Sequence, residues 1–420
     1  MKIFQPKLFQ VLKNYSLKQF SNDLIAGIIV AIIALPLSIA LAIASGVSPE
    51  KGLYTAIVAG FVISFLGGSN VNISGPTAAF ATIVAGIVAE HGIEGLVIAT
   101  IMAGIMLILM GVCRVGSLIK YIPHTITTGF TSGIAVTIVI GQLKDFFGLT
   151  FKEGTHAVET MEKLSAVGSS MSTFNYLSVI VGIIAVAVLV FWPKISKKIP
   201  GSLIAVLVGV VVVKLLNMRV NTIGDLYEIS RALPKFSMPV IEMDMVIKLL
   251  PSAFTIAILA GIESLLSCVV SDGMINDKHN SNTELIAQGM GNICSGLFGG
   301  IPATGAIART AANVKNGGKT PVSGMVHAIV LLLVLVVLMP YAAWIPMPVI
   351  AAVLFIVAYN MCEWREFVKI CKTSPLTDIL VLVVTFVLTV VFDLVVAIEV
   401  GIAIHYAVVL IKKYLLKSAS

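Results

Sequence analysis

Charge is what this sequence is short of. Only 12% of its 420 residues are Asp, Glu, Lys or Arg, against 58% hydrophobic residues, and the mean hydropathy is +1.03. A chain of this length with so little polar surface to offer water is not a soluble globular protein. Histidine is sparser still: the six residues are isolated, with no HExxH pair to hold zinc. A GxxxxGK[ST] loop is also missing, which argues against an ATP-driven pump built from this chain alone. The five cysteines, Cys113, Cys268, Cys294, Cys362 and Cys371, lack any paired metal-type spacing and read as structural thiols. The net charge of +7 is spread between apolar runs rather than gathered on one face, so nucleic acid is not an expected partner. No nucleophile has a base beside it, so an enzyme within the membrane is disfavoured and no cofactor is called for.

What the sequence does have is apolar runs of about 20 residues, each long enough to cross a hydrocarbon core of about 30 Å as a helix. They recur from Asp23 almost to the C-terminus. Residues 1–22 are polar and basic, which fits a cytoplasmic lead-in rather than a signal peptide. Fourteen membrane segments are expected, in an all-α polytopic fold. The first seven start near Asp23, Glu50, Gly75, Glu94, Ser117, Phe174 and Pro200, and the second seven near Met245, Glu284, Thr304, Pro321, Tyr341, Pro375 and Asp393. The polar connection 218–244 and the loop 144–173 are too short for a further domain.

An even number of crossings puts both termini on one side. With the N-terminus inside, eighteen of the 28 Lys and Arg residues fall on the inner side and nine on the outer, so the positive-inside rule places both termini in the cytoplasm of a plasma-membrane protein. An odd number of segments per half turns the second half over relative to the first, giving a 7+7 inverted repeat.

Two stretches break the apolar pattern at the third segment of each half: Asn72 to Ala81 (NISGPTAAFA) and Gly299 to Thr310 (GGIPATGAIART). Each reads as the start of a half-helix inside the membrane. The unpaired first N–H groups and the positive dipole end of such a helix attract an anion, and two facing ends make a midplane site. In the first break the Thr77 hydroxyl and the N–H groups of Ala78, Ala79 and Phe80 are the expected donors. In the second, Thr304, Gly305, Ala306 and Ile307 stand in the same relation. The plainer alternative is a pair of kinked packing helices.

Glu263 lies deep in the eighth segment, where a carboxylate costs roughly 3 kcal/mol and so faces the interior, a cavity or a partner. It is the candidate coupling residue, taking up a proton or helping to bind a cation; a packed, hydrogen-bonded carboxylate is the alternative. Arg309, the one basic residue within a span, is expected to pair with Asp272 or Glu284 near the cytoplasmic face rather than to add positive potential behind the anion site. Asp393, Glu399 and His405 read as interhelical packing around the last span. Residues 362–372 (CEWREFVKICK) are amphipathic and suit the membrane surface.

From about Ser21 to Lys412 these residues resemble the SulP (sulfate permease) anion transporters. The resemblance is carried by IIALPLSIALAIASGVSPEKGLY, ISGPTAAFA and HNSNTELIAQGMGNICSGLFGGIPATGAIARTAANVKNGGKTPVSG. It implies a transport domain over 23–413 with the uracil-transporter-like fold. Within it a core comprises segments one to four and eight to eleven (about 23–111 and 245–338), and a gate comprises five to seven and twelve to fourteen (about 117–217 and 341–413). The core is then expected to carry the anion past the gate in an elevator-like motion. The implied substrate-binding residues are Pro36, Leu37, Thr77, Ala78, Ala79, Phe80, Gly305, Ala306 and Ile307.

In sodium-coupled members an aspartate stands where Glu263 does, and a threonine where Ile307 does; Ser267 keeps a hydroxyl one turn on. Losing one oxygen ligand weakens a sodium site. Proton coupling through Glu263 is therefore favoured, with sodium at Glu263, Ser267 and Gly305 left open. The expected substrate is bicarbonate or sulfate, with dicarboxylates such as fumarate or succinate next. A passive anion channel would call for a fixed basic residue at the start of the second half-helix, where the sequence has Ala306 and Ile307. Family members commonly continue into a STAS domain, and none is expected in this chain, which ends at Ser420. Membrane lipid and a small anion are the implied partners, and a homodimer is compatible with the resemblance.

Overall fold

The computed structural model describes residues 4–117, 124–152, 157, 159–196 and 199–391. After a short helix α1 (Lys7–Val11), the first half contains α2 (Leu17–Ala44), α3 (Pro49–Leu66), α4 (Ala81–Val112), α5 (His124–Phe147), α6 (Thr160–Ser169), α7 (Tyr176–Ile195), α8 (Gly201–Leu215) and α9 (Ile223–Leu226). The second half contains α10 (Met243–Ile275), α11 (Ser281–Leu297), α12 (Ile307–Lys315), α13 (Val322–Leu338), α14 (Met347–Met361), α15 (Trp364–Thr373) and α16 (Leu376–Val391). The last expected segment, with Asp393, Glu399 and His405, lies outside the described residues.

Helix ends follow local chemistry. The Ser16 side chain caps α2 by accepting from the Gln19 N–H, Pro49 opens α3, and the Asn280 side chain caps α11 through the Thr283 N–H. Among the described residues eight helical stretches are long and apolar enough to cross a membrane, and α8 and α16 are shorter apolar helices. The third and fourth expected segments form one continuous helical stretch divided at Gly92, whose φ of 66° and ψ of −169° leave the helical region. Outward-facing residues such as Leu109, Ile183 and Val211 are exposed and apolar, as lipid contact requires.

Packing divides the helices into two sets. Helices α2, α3, α4, α10, α11, α12 and α13 pack on one another, as do α5, α7, α8, α14 and α16. The sets meet where α2 runs beside α8 and α14, and where α4 touches α5.

The only strands among the described residues are β1 (Ser74–Gly75) and β2 (Thr304–Gly305), one from each sequence break. They pair antiparallel, Ser74 opposite Gly305 and Gly75 opposite Thr304. The two breaks therefore cross each other inside the first set of helices. The all-α fold expected from the sequence is present, with this two-rung ladder as the only strand pairing among the described residues besides an isolated antiparallel bridge between Thr222 and Pro346.

Candidate functional site

Each break leads from an extended segment into a helix end. After β1, Pro76 and Thr77 precede a 3-10 turn (Ala78–Phe80) that runs into α4; after β2, Ala306 precedes α12. The Ala306 N–H donates to the Ile73 carbonyl at 2.8 Å, and the Gly305 N–H donates to Ser264 Oγ at 2.9 Å. Ser264 Oγ in turn lies 2.7 Å from Thr304 Oγ1. This differs from the expectation that Gly305 and Ala306 offer their N–H groups to a ligand: pairing the breaks as strands consumes one, and a serine on α10 consumes the other.

The open donors sit one residue further on. The α12 ladder begins with the Thr310 N–H on the Ala306 carbonyl, so the N–H groups of Ile307, Ala308 and Arg309 precede it at the helix end. At the first break the Phe80 N–H reaches back to the Thr77 carbonyl at 3.4 Å, against the expectation that it is free, and Ala78 and Ala79 retain the leading N–H groups. Thr77, Glu263 and Ala306 are half-buried and Ile307 is exposed, whereas Asn72, Ser74, Ser264 and Ser267 behind them are buried. The crossing thus has one open side and one closed side.

Glu263 faces that open side, and the Thr77 hydroxyl donates to its Oε2 at 3.0 Å. The acid of α10 and the first break, 186 residues apart in sequence, are in direct contact. Arg309 completes the group from α12. It is 4% exposed, its Nη2 donates to the Pro76 carbonyl, and its Nη1 lies against Gly75, where a Cβ would stand only 2.6 Å away. Glycine at position 75 is what admits the guanidinium. Nη1 has no hydrogen-bond partner among the described residues.

This placement corrects the sequence reading of Arg309. Asp272 instead holds His279 at 2.7 Å, and Glu284 accepts from the Gly68 and Ser69 N–H groups at 2.9 and 3.2 Å, from Asn72 Nδ2 at 2.7 Å and from Gln288 Nε2 at 3.0 Å. With both carboxylates satisfied, the long arginine side chain folds back along α12 toward the crossing. A fixed cation does therefore stand at the second half-helix, contrary to the inference drawn from Ala306 and Ile307. Glu284, 1% exposed, is a second deeply buried acid in this half.

Ser267 also departs from expectation. It lies one turn beyond Glu263 on α10, but its hydroxyl donates to Asn72 Oδ1 at 2.7 Å and lies 3.0 Å from Thr310 Oγ1, so it belongs to the closed side. Asn72 is the hub there, bonded to Glu284, Ser267 and Thr310. Its presence as an amide inside an apolar segment was the available sequence signal, as was that of Gln288. Pro36 is buried within α2, and Leu37 packs on the apolar core; α2 runs beside α12 and α4. No cluster of three or more His, Cys, Asp or Glu residues suited to a metal occurs among the described residues.

Comparison with known proteins matches residues 20–385 to the model described as the sulfate permease family. The Bacillus subtilis (strain 168) protein YvdB, provisionally named for sulfate transport, is 45% identical over 376 residues, covering 89% of this chain and 70% of that protein. The bicarbonate transporter BicA of Picosynechococcus sp. is 32% identical over 377 residues, 87% of this chain and 66% of its own length. The chain thus spans about two-thirds of the length of these relatives. Among solved structures, the transmembrane domain of a cyanobacterial BicA superposes with a TM-score of 0.82 at 31% identity, covering 91% of this chain and 98% of that one. The structure of SLC26A9 superposes with a TM-score of 0.88 at 22% identity over 97% of this chain and 68% of that one, a likeness of fold. On this evidence the chain belongs to the sulfate permease family of membrane anion transporters.

Proposed function

We propose that the protein is a secondary active transporter of a small inorganic anion, bicarbonate or sulfate, coupled to protons through Glu263. The observation that carries this reading is the Thr77–Glu263 hydrogen bond, which joins an acid facing the open side to the break that also braces Arg309. When Glu263 is ionised, the single proton of the Thr77 hydroxyl is spent on it. Protonation lets Glu263 donate to Thr77 Oγ1 instead, and the Thr77 proton turns to an anion seated between the leading N–H groups of Ala78, Ala79, Ile307 and Ala308. Proton uptake also removes the negative charge nearest the anion. Arg309 Nη1 supplies the fixed positive end of the site, and burial strengthens its pull.

Commitment of the Ser267 hydroxyl to Asn72 and Thr310 leaves fewer oxygens beside Glu263 and so supports protons over sodium. The two helix sets support an elevator-like motion in which the core set, carrying both breaks, slides along the seam of α2 against α8 and α14. Termini in the cytoplasm of a plasma-membrane protein, and a homodimer, complete the proposal. Arg309 also favours a second reading, a passive anion channel, because it is the fixed basic residue that reading requires. Ion flux without any proton or sodium gradient separates the two.

The test is uptake of labelled bicarbonate, sulfate and fumarate into proteoliposomes, with proton and sodium gradients imposed separately. Accumulation above the external concentration is expected with an inward proton gradient, and Glu263→Gln is expected to abolish accumulation while the protein still folds. Full accumulation by that variant would place coupling elsewhere.

A further inference from the structure

His327 on α13 is fully buried, and neither of its ring nitrogens has a hydrogen-bond partner among the described residues. A buried imidazole left so costs roughly 1–3 kcal/mol per unmet group, a penalty that a bound water removes. Across from the ring is Gly60 of α3, where a Cβ would stand 3.9 Å from His327 Nδ1 and 3.1 Å from the Ser74 carbonyl oxygen. That carbonyl points toward α3 for a reason of register. The Ala306 N–H on the Ile73 carbonyl makes Ile73 and Ala306 a hydrogen-bonded pair, so the next pair, Ser74 and Gly305, turns its groups away from the ladder. The Gly305 N–H accordingly finds Ser264, and the Ser74 carbonyl faces Gly60, the residue His327 Nδ1 also approaches. One turn away on α3, Ser64 Oγ is likewise buried and unpartnered.

We propose that His327 is a positioning residue for the anion site, holding the Ser74 carbonyl through a water seated over Gly60 and thereby fixing the Gly75–Pro76 backbone against which Arg309 is braced. The chain of contacts is short: His327, water, Ser74, then Gly75 and Pro76, whose carbonyl receives Nη2 and whose glycine neighbours Nη1. A water can donate to the Ser74 carbonyl and either donate to Nδ1 or accept from it, so either ring tautomer completes the bridge. This inference rests on the reading of Arg309 as part of the anion site.

The test compares His327→Leu, His327→Gln, Gly60→Ala and Arg309→Gln in the full chain. Anion affinity is read from the rise in Tm of detergent-purified protein titrated with sodium sulfate or sodium bicarbonate, and maximal uptake rate is read in proteoliposomes. His327→Leu is expected to weaken the affinity about tenfold, the loss of one orienting hydrogen bond, with the maximal rate within about twofold. Gly60→Ala is expected to do the same by filling the water's place, and it keeps every polar side chain should the leucine variant not fold. His327→Gln, which retains a donor and an acceptor, is expected to restore the affinity. In an Arg309→Gln background, His327→Leu is expected to add nothing. Unchanged affinity in both His327→Leu and Gly60→Ala, or full additivity with Arg309→Gln, would overturn the positioning role. Unchanged affinity in Arg309→Gln alone would instead sink the reading of the anion site, so the two failures are separable.

Discussion

Thr77 has one proton, and in the proposed site two calls on it, from Glu263 and from an anion. Replacing it with valine keeps the shape but leaves Glu263 Oε2 without its recorded donor and the first half-helix without a hydroxyl at its mouth. An unmet group of this kind costs on the order of 1–3 kcal/mol, so Thr77→Val is expected to raise the apparent KM for the anion about tenfold or more. Thr77→Ser keeps the hydroxyl and is expected to stay near the original value. Initial uptake rates over a range of anion concentrations measure both; a valine variant with unaltered KM would remove Thr77 from the site. The same residue shows what the sequence alone disclosed. Thr77 and Glu263 stood out individually, one beside a proline–glycine break and the other as an acid in an apolar run. Their contact did not, because nothing local links a position on α10 with one just after β1. Arg309 was misplaced for a related reason: helix spacing gives its height along α12, but a long side chain can run either way from there.

Among the elements, the two breaks were legible because glycine and proline interrupt apolar sequence at matching places. Their pairing as strands was not. It depends on the Asn72 amide and on Ser264 and Thr310 arriving from α10 and α12, and it decides which N–H groups remain for a ligand. The division of α4 was partly legible, since two segments were expected there, and its cause is a single residue. Gly92 holds φ 66° and ψ −169°, a region nearly closed to residues with a Cβ, while a Cβ there would meet nothing within 4 Å. The cost of Gly92→Ala is therefore backbone strain alone, on the order of 1–3 kcal/mol. Gly86, in the helical part of the same element with equally open surroundings, provides the control. Gly92→Ala is expected to lower the Tm of purified protein by several degrees and Gly86→Ala to leave it level or raise it slightly. Equal Tm values for the two variants would mean that the turn at Gly92 is not a fixed part of the fold.

Across the assembled helices, the decisive quantity is the charge carried when the anion crosses. The proposed site holds Arg309 and Glu263, which cancel when both are ionised. A monovalent anion entering together with a proton on Glu263 leaves that balance at zero, and the same anion entering alone makes it negative. An inside-negative potential opposes each negative charge moved inward by about 2.3 kcal/mol per 100 mV. Proton-coupled uptake of a monovalent anion such as bicarbonate is therefore expected to be indifferent to a potential imposed with potassium and valinomycin, whereas sulfate entering with a single proton is expected to be slowed. Glu263→Gln fixes the side chain in an uncharged form, so Arg309 alone balances the anion in the loaded site and the empty site returns with a net positive charge. In that variant the return of the empty site becomes the voltage-sensitive step, and exchange of internal for external anion, which skips it, is expected to survive. Measuring net uptake and exchange side by side at zero and at inside-negative potential reads both consequences. Net uptake by the variant as fast as by the original protein, with the same indifference to voltage, would show that the charge of Glu263 is not what the transport cycle balances.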